Sequence, residues 1–364
     1  MKINKIIQSL EQWAPPAYQE SYDNSGLLTG DSSQELKGTL ITLDCTEAVV
    51  DEAIQNNCNL IVAHHPIIFG GLKSLTGKNY VERTVIKAIK NDICIYAIHT
   101  NLDNMNHGVN KKIADIIGLI NPQILSPKSN TLLKLVTFIP RENSREVLSK
   151  LHEAGCGEVG NYDHCSFAID GEGTFTPNDK ANPKIGEANQ AERVEEKRIE
   201  VIFPAYLENQ VIATLKSAHP YEEVAYYIHK LNNKNQEIGS GMYGDLPEGM
   251  DVIDFMDKIK SDFNLKMIKH TAISKEKIKK IAVCGGSGSF LLNTAKRINA
   301  DVFITADFKY HEYFDAENQI IIMDIGHYES EVFTKELIYD YLKEKIANIA
   351  LNLSKVDTNP IKYY

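Results

Sequence analysis

Short apolar runs rich in β-branched residues, each closed by a polar or helix-breaking position, alternate along the chain with stretches whose apolar residues fall three and four apart. In the N-terminal part, residues 37–44 read as a strand, Val49, Val50 and Ala53 set a helical period, and 59–64 and 93–98 read as further strands. The C-terminal part keeps the same rhythm. Residues 280–284 read as a strand, Leu291 and Ala295 as a helix, and 300–305 and 320–325 as strands, followed by helical spacing at Val332, Phe333, Leu337, Ile338, Tyr341 and Leu342. Such alternation predicts an α/β fold with parallel sheets. The two parts align as diverged copies, so two pseudo-repeated α/β halves forming one core are expected.

Between them the order changes. A strand at 134–140, a helix at 144–154 and a strand at 165–169 are followed by a strand at 199–204, a helix through Val211, Ile212 and Leu215, and a strand at 224–228. This βαβ-βαβ order predicts an inserted ferredoxin-like α+β domain. The expected division is 1–129 for the first half of the core, 130–235 for the insert and 236–364 for the second half. Residues 171–186, rich in Gly, Pro and Asn, read as a long loop that packs on a neighbouring subunit. Glu192, Arg193, Glu195, Glu196, Lys197 and Arg198 read as a solvated charged face, and His152, His164, His219 and His229 as surface groups.

Composition narrows the class. A chain of 364 residues, 43% hydrophobic and 24% charged, buries ordinary cores and is expected to form two or three domains. The six cysteines lack zinc-knuckle spacing and disulfide-scaffold density, which predicts reduced, mostly buried thiols and a cytoplasmic location. Residues 1–13 read as an amphipathic helix rather than a leader, and no run approaches membrane-spanning length. A net charge of −10 argues against a broad nucleic-acid footprint, so a polyanion would have to find a pocket.

Candidate chemistry collects where strands end. His64 and His65 close one apolar run just before Pro66, which cannot continue a ladder. A lone histidine there is commonly a hydrogen-bonded core or surface group, so further partners decide the matter. Asp103 follows the next strand end, and His327 and Glu331 follow a third, four residues apart and therefore on one face of a helix opened by Gly326. Adjacent strand ends would bring three histidines and two carboxylates to one rim, a donor set able to grip one metal ion or a pair. His99, Asp307 and His311 lie near the same ends and are candidates for general acid/base or phosphate-contacting roles. Gly285, Gly286 and Gly288, between a strand and a helix, read as either a phosphate cradle or a tight turn.

The segments AHHPIIFGG at 63–71, YAIHTNLDN at 96–104, CGGSG at 284–288 and GHYESE at 326–331, with YDNSGLLTG at 22–30, resemble the GTP cyclohydrolase 1 type 2 homolog family (Nif3-like proteins). The resemblance covers the whole chain, and the insert resembles the PII- or CutA-like domain of the longer members. It implies two divalent metal ions per chain on His64, His65, Asp103, His327 and Glu331, and a toroidal homohexamer built from trimers. Two ions about 4 Å apart can activate water and stabilise both attacking and leaving oxygens. Zinc is the expected metal, with iron(II) or manganese also compatible with these donors. The implied reaction opens the guanine ring of GTP with loss of formate, giving dihydroneopterin triphosphate. A two-metal nucleotide phosphoesterase and a non-catalytic metal-containing ring that binds a partner or nucleic acid remain open alternatives. Ala306, Tyr310 and Met242 depart from the family pattern at positions that touch substrate contacts more than metal binding.

Overall fold

Ile3, Ile6, Ile7 and Leu10 share one stripe of the helix Ile3–Trp13 and are buried, as an amphipathic helix on a core requires. The computed structural model describes residues 1–364. The chain divides into one unit made of Met1–Ser126 with Glu237–Tyr364 and a second made of Pro127–Gln236. It is a mixed α/β protein with three sheets. The strands, in chain order, are β1 (Gly26–Thr29), β2 (Thr39–Thr42), β3 (Leu60–Ala63), β4 (Cys94–Ala97) and β5 (Ile120–Lys128). Next come β6 (Leu132–Pro140), β7 (Phe167–Phe175), β8 (Glu192–Pro204), β9 (Tyr226–Leu231) and β10 (Asn235–Asp251). The last five are β11 (Lys269–His270), β12 (Lys277–Ser287), β13 (Val302–Ala306), β14 (Ile321–Asp324) and β15 (Leu351–Leu353).

In the first unit one sheet has the order β1-β4-β3-β2-β15 and the other β11-β14-β13-β12-β10-β5. Strands β2, β3 and β4 run parallel, and so do β12, β13 and β14. Each residue of β2, β3 and β4 is buried, which is why these strands read as unbroken apolar runs. Register then fixes the rim: Thr42 pairs with Ala63 and Ala63 with Ala97, so the residues that follow all three strands leave the sheet together. In the other sheet Thr305 pairs with Asp324. A single core takes Ile41, Val62 and Tyr96 from the first sheet and Ile281, Ile304 and Met323 from the second.

The second unit runs strand, helix, strand, strand, helix, strand, with Ser144–Glu153 and Glu208–Ala218 as its helices and the sheet order β7-β8-β6-β9. Leu135, Ile139, Ile199, Val201 and Phe203 pack on Val147, Leu151, Val211 and Leu215. Two stretches differ from the sequence reading. β7 continues to Phe175, into residues expected to be loop, and the charged run belongs to β8, which opens at Glu192. No apolar alternation marks them because cross-strand ion pairs line the hairpin, Lys197 with Asp170 at 3.0 Å and Arg193 with Glu172 at 2.5 Å. His219 is buried rather than at the surface. All six cysteines are free, and no helix is long and apolar enough to cross a membrane.

Candidate metal centre

The parallel registers deliver Asp44, His64, His65 and His99 to one rim, and the turn after β14 delivers His327 and Glu331 on the short helix His327–Glu331. His64 is fully buried, and its Nδ1–H donates to the Ile98 carbonyl at 2.8 Å. That bond fixes the tautomer and leaves Nε2 as a bare lone pair. Nε2 has no hydrogen-bond partner and lies 3.4 Å from Asp103 Oδ1, which is equally buried and equally without one. Two such orphans cost about 1–3 kcal/mol each unless something satisfies them. A cation does so for both at once. Burial, with His65 beside it, pushes the His64 pKa down to about 3, so it offers a neutral ligand.

His65 and His327 meet over Glu331. His65 donates from Nδ1 to Asp44 at 2.7 Å, and its Nε2 lies 2.9 Å from Glu331 Oε2. His327 donates from Nδ1 to Asp307 at 2.6 Å, with Nε2 3.0 Å from the same Oε2 and 3.4 Å from His65 Nε2. Each histidine thus keeps one nitrogen on an orienting carboxylate and points the other inward. Glu331, 4% exposed, belongs both to a group with His65 and His327 and to a group with His64 and Asp103; within each, the donor atoms lie within 4.8 Å of one another. His99 joins His64 and His65 in a third such group. Its Nδ1 donates to Asp23 at 2.7 Å, and its ring stands 5.3 Å from His64 and 5.4 Å from His65. The donor set and its orphaned atoms therefore fit a divalent cation.

Charge follows the geometry. Burial works to lower the His65 and His327 pKa values, but Asp44 and Glu331 lift the first to about 9, and Asp307 and Glu331 lift the second to about 11. Burial would raise Glu331, yet the two imidazoles hold it well below the usual carboxylate range; burial and the Glu331 charge drive Asp103 well above it. Asp23 stays anionic against its burial because His99 and Thr100 donate to it.

Five sequence-derived ligand candidates thus come together, and His99 stands with them. Asp307 is placed behind His327 as its hydrogen-bond acceptor. His311 is apart, in the turn Tyr310–Ala316 with its ring against Tyr310 and Phe314. The glycine loop does something other than cradle phosphate. The Gly285 amide donates to Asn110 Oδ1 and the Gly286 amide to Ser330 Oγ, both at 3.0 Å. Gly286 has φ +60°, and a Cβ there would overlap Glu331 Oε1. Asp44 and Asp23 were not singled out; each follows or precedes a strand as an isolated carboxylate, and Asp23 lies inside the 22–30 motif. Met242 and Ala306 are buried core residues.

Proton competition follows from these shifts. A cation entering between His65 and His327 displaces protons that the metal-free protein still holds at neutral pH, so affinity rises with pH. Zinc titrations at pH 6, 7 and 8 should tighten by roughly 10- to 100-fold per unit and release protons in calorimetry run in buffers of different ionisation enthalpy. A flat profile would mean that both imidazoles are neutral before binding. The same protonation stabilises the metal-free fold fully below about 6.5, and that contribution is lost as pH rises through about 9 and then about 11.

Three likenesses accompany this geometry. The Duf34/NIF3 (NGG1p interacting factor 3) family model matches residues 1–360. The proteins named GTP cyclohydrolase 1 type 2 homolog in Bacillus subtilis and Halalkalibacterium halodurans are 36% and 38% identical over 364 and 363 residues, covering 99% and 98% of this chain and 98% of each relative. The crystal structure of a Bacillus cereus protein related to NIF3 is 38% identical with a TM-score of 0.88, covering 100% of this chain and 99% of that one.

Proposed function

Because the chain belongs to the Duf34/NIF3 family, we propose that it is a two-metal hydrolase acting on a nucleotide, with GTP ring opening and formate release as the reaction to test first. One observation carries the reading. Glu331 is common to two donor groups, His65 with His327 and His64 with Asp103, which suits a carboxylate bridging two ions. Divalent ions held there supply Lewis acidity toward an attacking water and a leaving atom. Asp44 and Asp307 orient the histidines. His99, tied to anionic Asp23 through Nδ1, can hold or pass a proton at Nε2, which ranks it above His311 for acid/base work.

The relatives named GTP cyclohydrolase 1 type 2 homolog support the substrate class, and the free cysteines support a cytoplasmic setting. We read the strand–helix order of the second unit as a ferredoxin-like insert of the PII or CutA kind, and the matching parallel triplets β2-β3-β4 and β12-β13-β14 as the pseudo-repeat. We also propose a homohexamer, which light scattering on the eluting protein checks as a mass six times that of the chain. Purified protein loaded in turn with zinc, iron(II) or manganese, incubated with GTP and assayed for formate and phosphate together, tests the activity. Formate supports ring opening, phosphate alone supports a phosphoesterase, and neither, with both metals bound, supports a scaffold.

A further inference from the structure

The second unit holds a cavity of about 720 Å3 that none of the chemistry above uses. Its position follows from register. Arg198 pairs with both Phe138 and Ile169 across the sheet and alternates with Ile199, which packs under the helices, so these three residues lie on the opposite face. Phe138, Phe175, Tyr221 and Tyr227 supply aromatic walls, and residues 176–185 of the connection after β7 close over them. A volume of this size is within the roughly 300–1,000 Å3 range of small-molecule sites.

Glu196 lines the cavity and is only 9% exposed. Its carboxylate occupies the space that a Cβ on Gly173 would fill, so the strand is shaped to admit it. No cation pairs with it. Arg198 is engaged by Glu200 at 2.7 Å, and Lys197 by Asp170 at 3.0 Å. His219 is close but spent: Nε2–H donates to the Phe138 carbonyl at 2.9 Å and Nδ1 accepts from the Tyr221 amide at 3.1 Å, so the ring is neutral. Burial pushes its pKa down, consistent with that state. The Tyr221 hydroxyl, also lining the cavity, is buried and directed at Glu196, and burial together with that negative charge pushes the phenol pKa up. A buried carboxylate beside a neutral phenol, with no counter-charge among the surrounding aromatic rings, is an incomplete arrangement.

We propose that this cavity binds a small organic cation, an amine or quaternary ammonium whose charged head pairs with Glu196 and whose apolar body lies among Phe138, Phe175 and Tyr227. An ammonium completes the carboxylate and can accept the rings as cation–π partners, whereas an anion of the same size would meet Glu196 unpaired. The site is independent of the metal centre and of the reaction proposed for it.

Phenethylamine and its neutral counterpart 2-phenylethanol serve as probes on the intact metal-loaded protein, by calorimetry or ligand-observed NMR. The amine should bind saturably and roughly 10- to 100-fold more tightly than the alcohol, the difference expected of a charge-assisted bond. Glu196→Gln should erase that preference while leaving metal content unchanged. Absence of saturable amine binding, equal affinity for both probes, or an undiminished preference in Glu196→Gln would overturn the proposal. Tyr227 is 57% exposed, so Tyr227→Ala keeps the fold and decides the matter if Glu196→Gln does not fold. Weaker amine binding in Tyr227→Ala supports the site, and unchanged binding overturns it.

Discussion

Glu331→Gln should lower metal content from about two equivalents per chain to below about one and abolish turnover. The amide keeps the shape of the side chain but removes an anion that faces both His65 and His327, at 2.9 and 3.0 Å, and that also belongs to the group with His64 and Asp103. Both sets of donors lose a shared charge that a neutral amide or water does not replace. Asp307→Asn weakens only the orientation of His327 and should cost about 10- to 100-fold in metal affinity. His311→Ala, outside every such donor group, should leave metal content unchanged. Elemental analysis beside a formate assay separates the three. Full occupancy and full rate in Glu331→Gln would remove it from the centre.

Gly286→Ala should be nearly as damaging, although it adds a single methyl group to a residue that binds nothing itself. The position has φ +60°, where a side chain costs about 1–3 kcal/mol, and the new Cβ would overlap Glu331 Oε1 and press on the His327 ring at 3.2 Å. A drop in thermal stability together with loss of metal is therefore expected. A control, Gly118→Ala, shares the positive φ of +83° but has nothing near its Cβ, and it should lose stability without losing metal. Equal metal content in the two variants would show that only backbone strain matters.

That His64, His65, Asp103, His327 and Glu331 come together was readable in advance because each lies at or shortly after the end of a buried apolar run, and a parallel sheet places such ends together. What surrounds the ligands was not readable. Asp44 and Asp23 each reach the centre through one histidine, His65 and His99, and a single carboxylate near a strand carries no period or spacing to mark it. The glycine loop was ambiguous for a related reason. A glycine that admits a phosphate and one that admits a neighbouring carboxylate look alike in sequence, and only the approach of Glu331 distinguishes them. In the insert, the helix-facing strand segments announced themselves through Val201 and Phe203, while the β7–β8 pairing escaped because its outer part carries exposed, paired charges in place of apolar alternation.

β15 pairs in parallel with β2, Leu351 against Thr39 and Leu353 against Ile41. A chain emerging from the ribosome must therefore hold the apolar edge of β2 open until more than three hundred further residues have been made. Such a long-range closure is slow and leaves an unpaired edge exposed during synthesis. His327 and Glu331 arrive just before that last strand, so assembly of the metal centre and sealing of the edge fall at the same late moment. Metal supplied to cells during expression is thus positioned to act as a folding ligand, favouring chains that have completed the sheet over those still exposing β2.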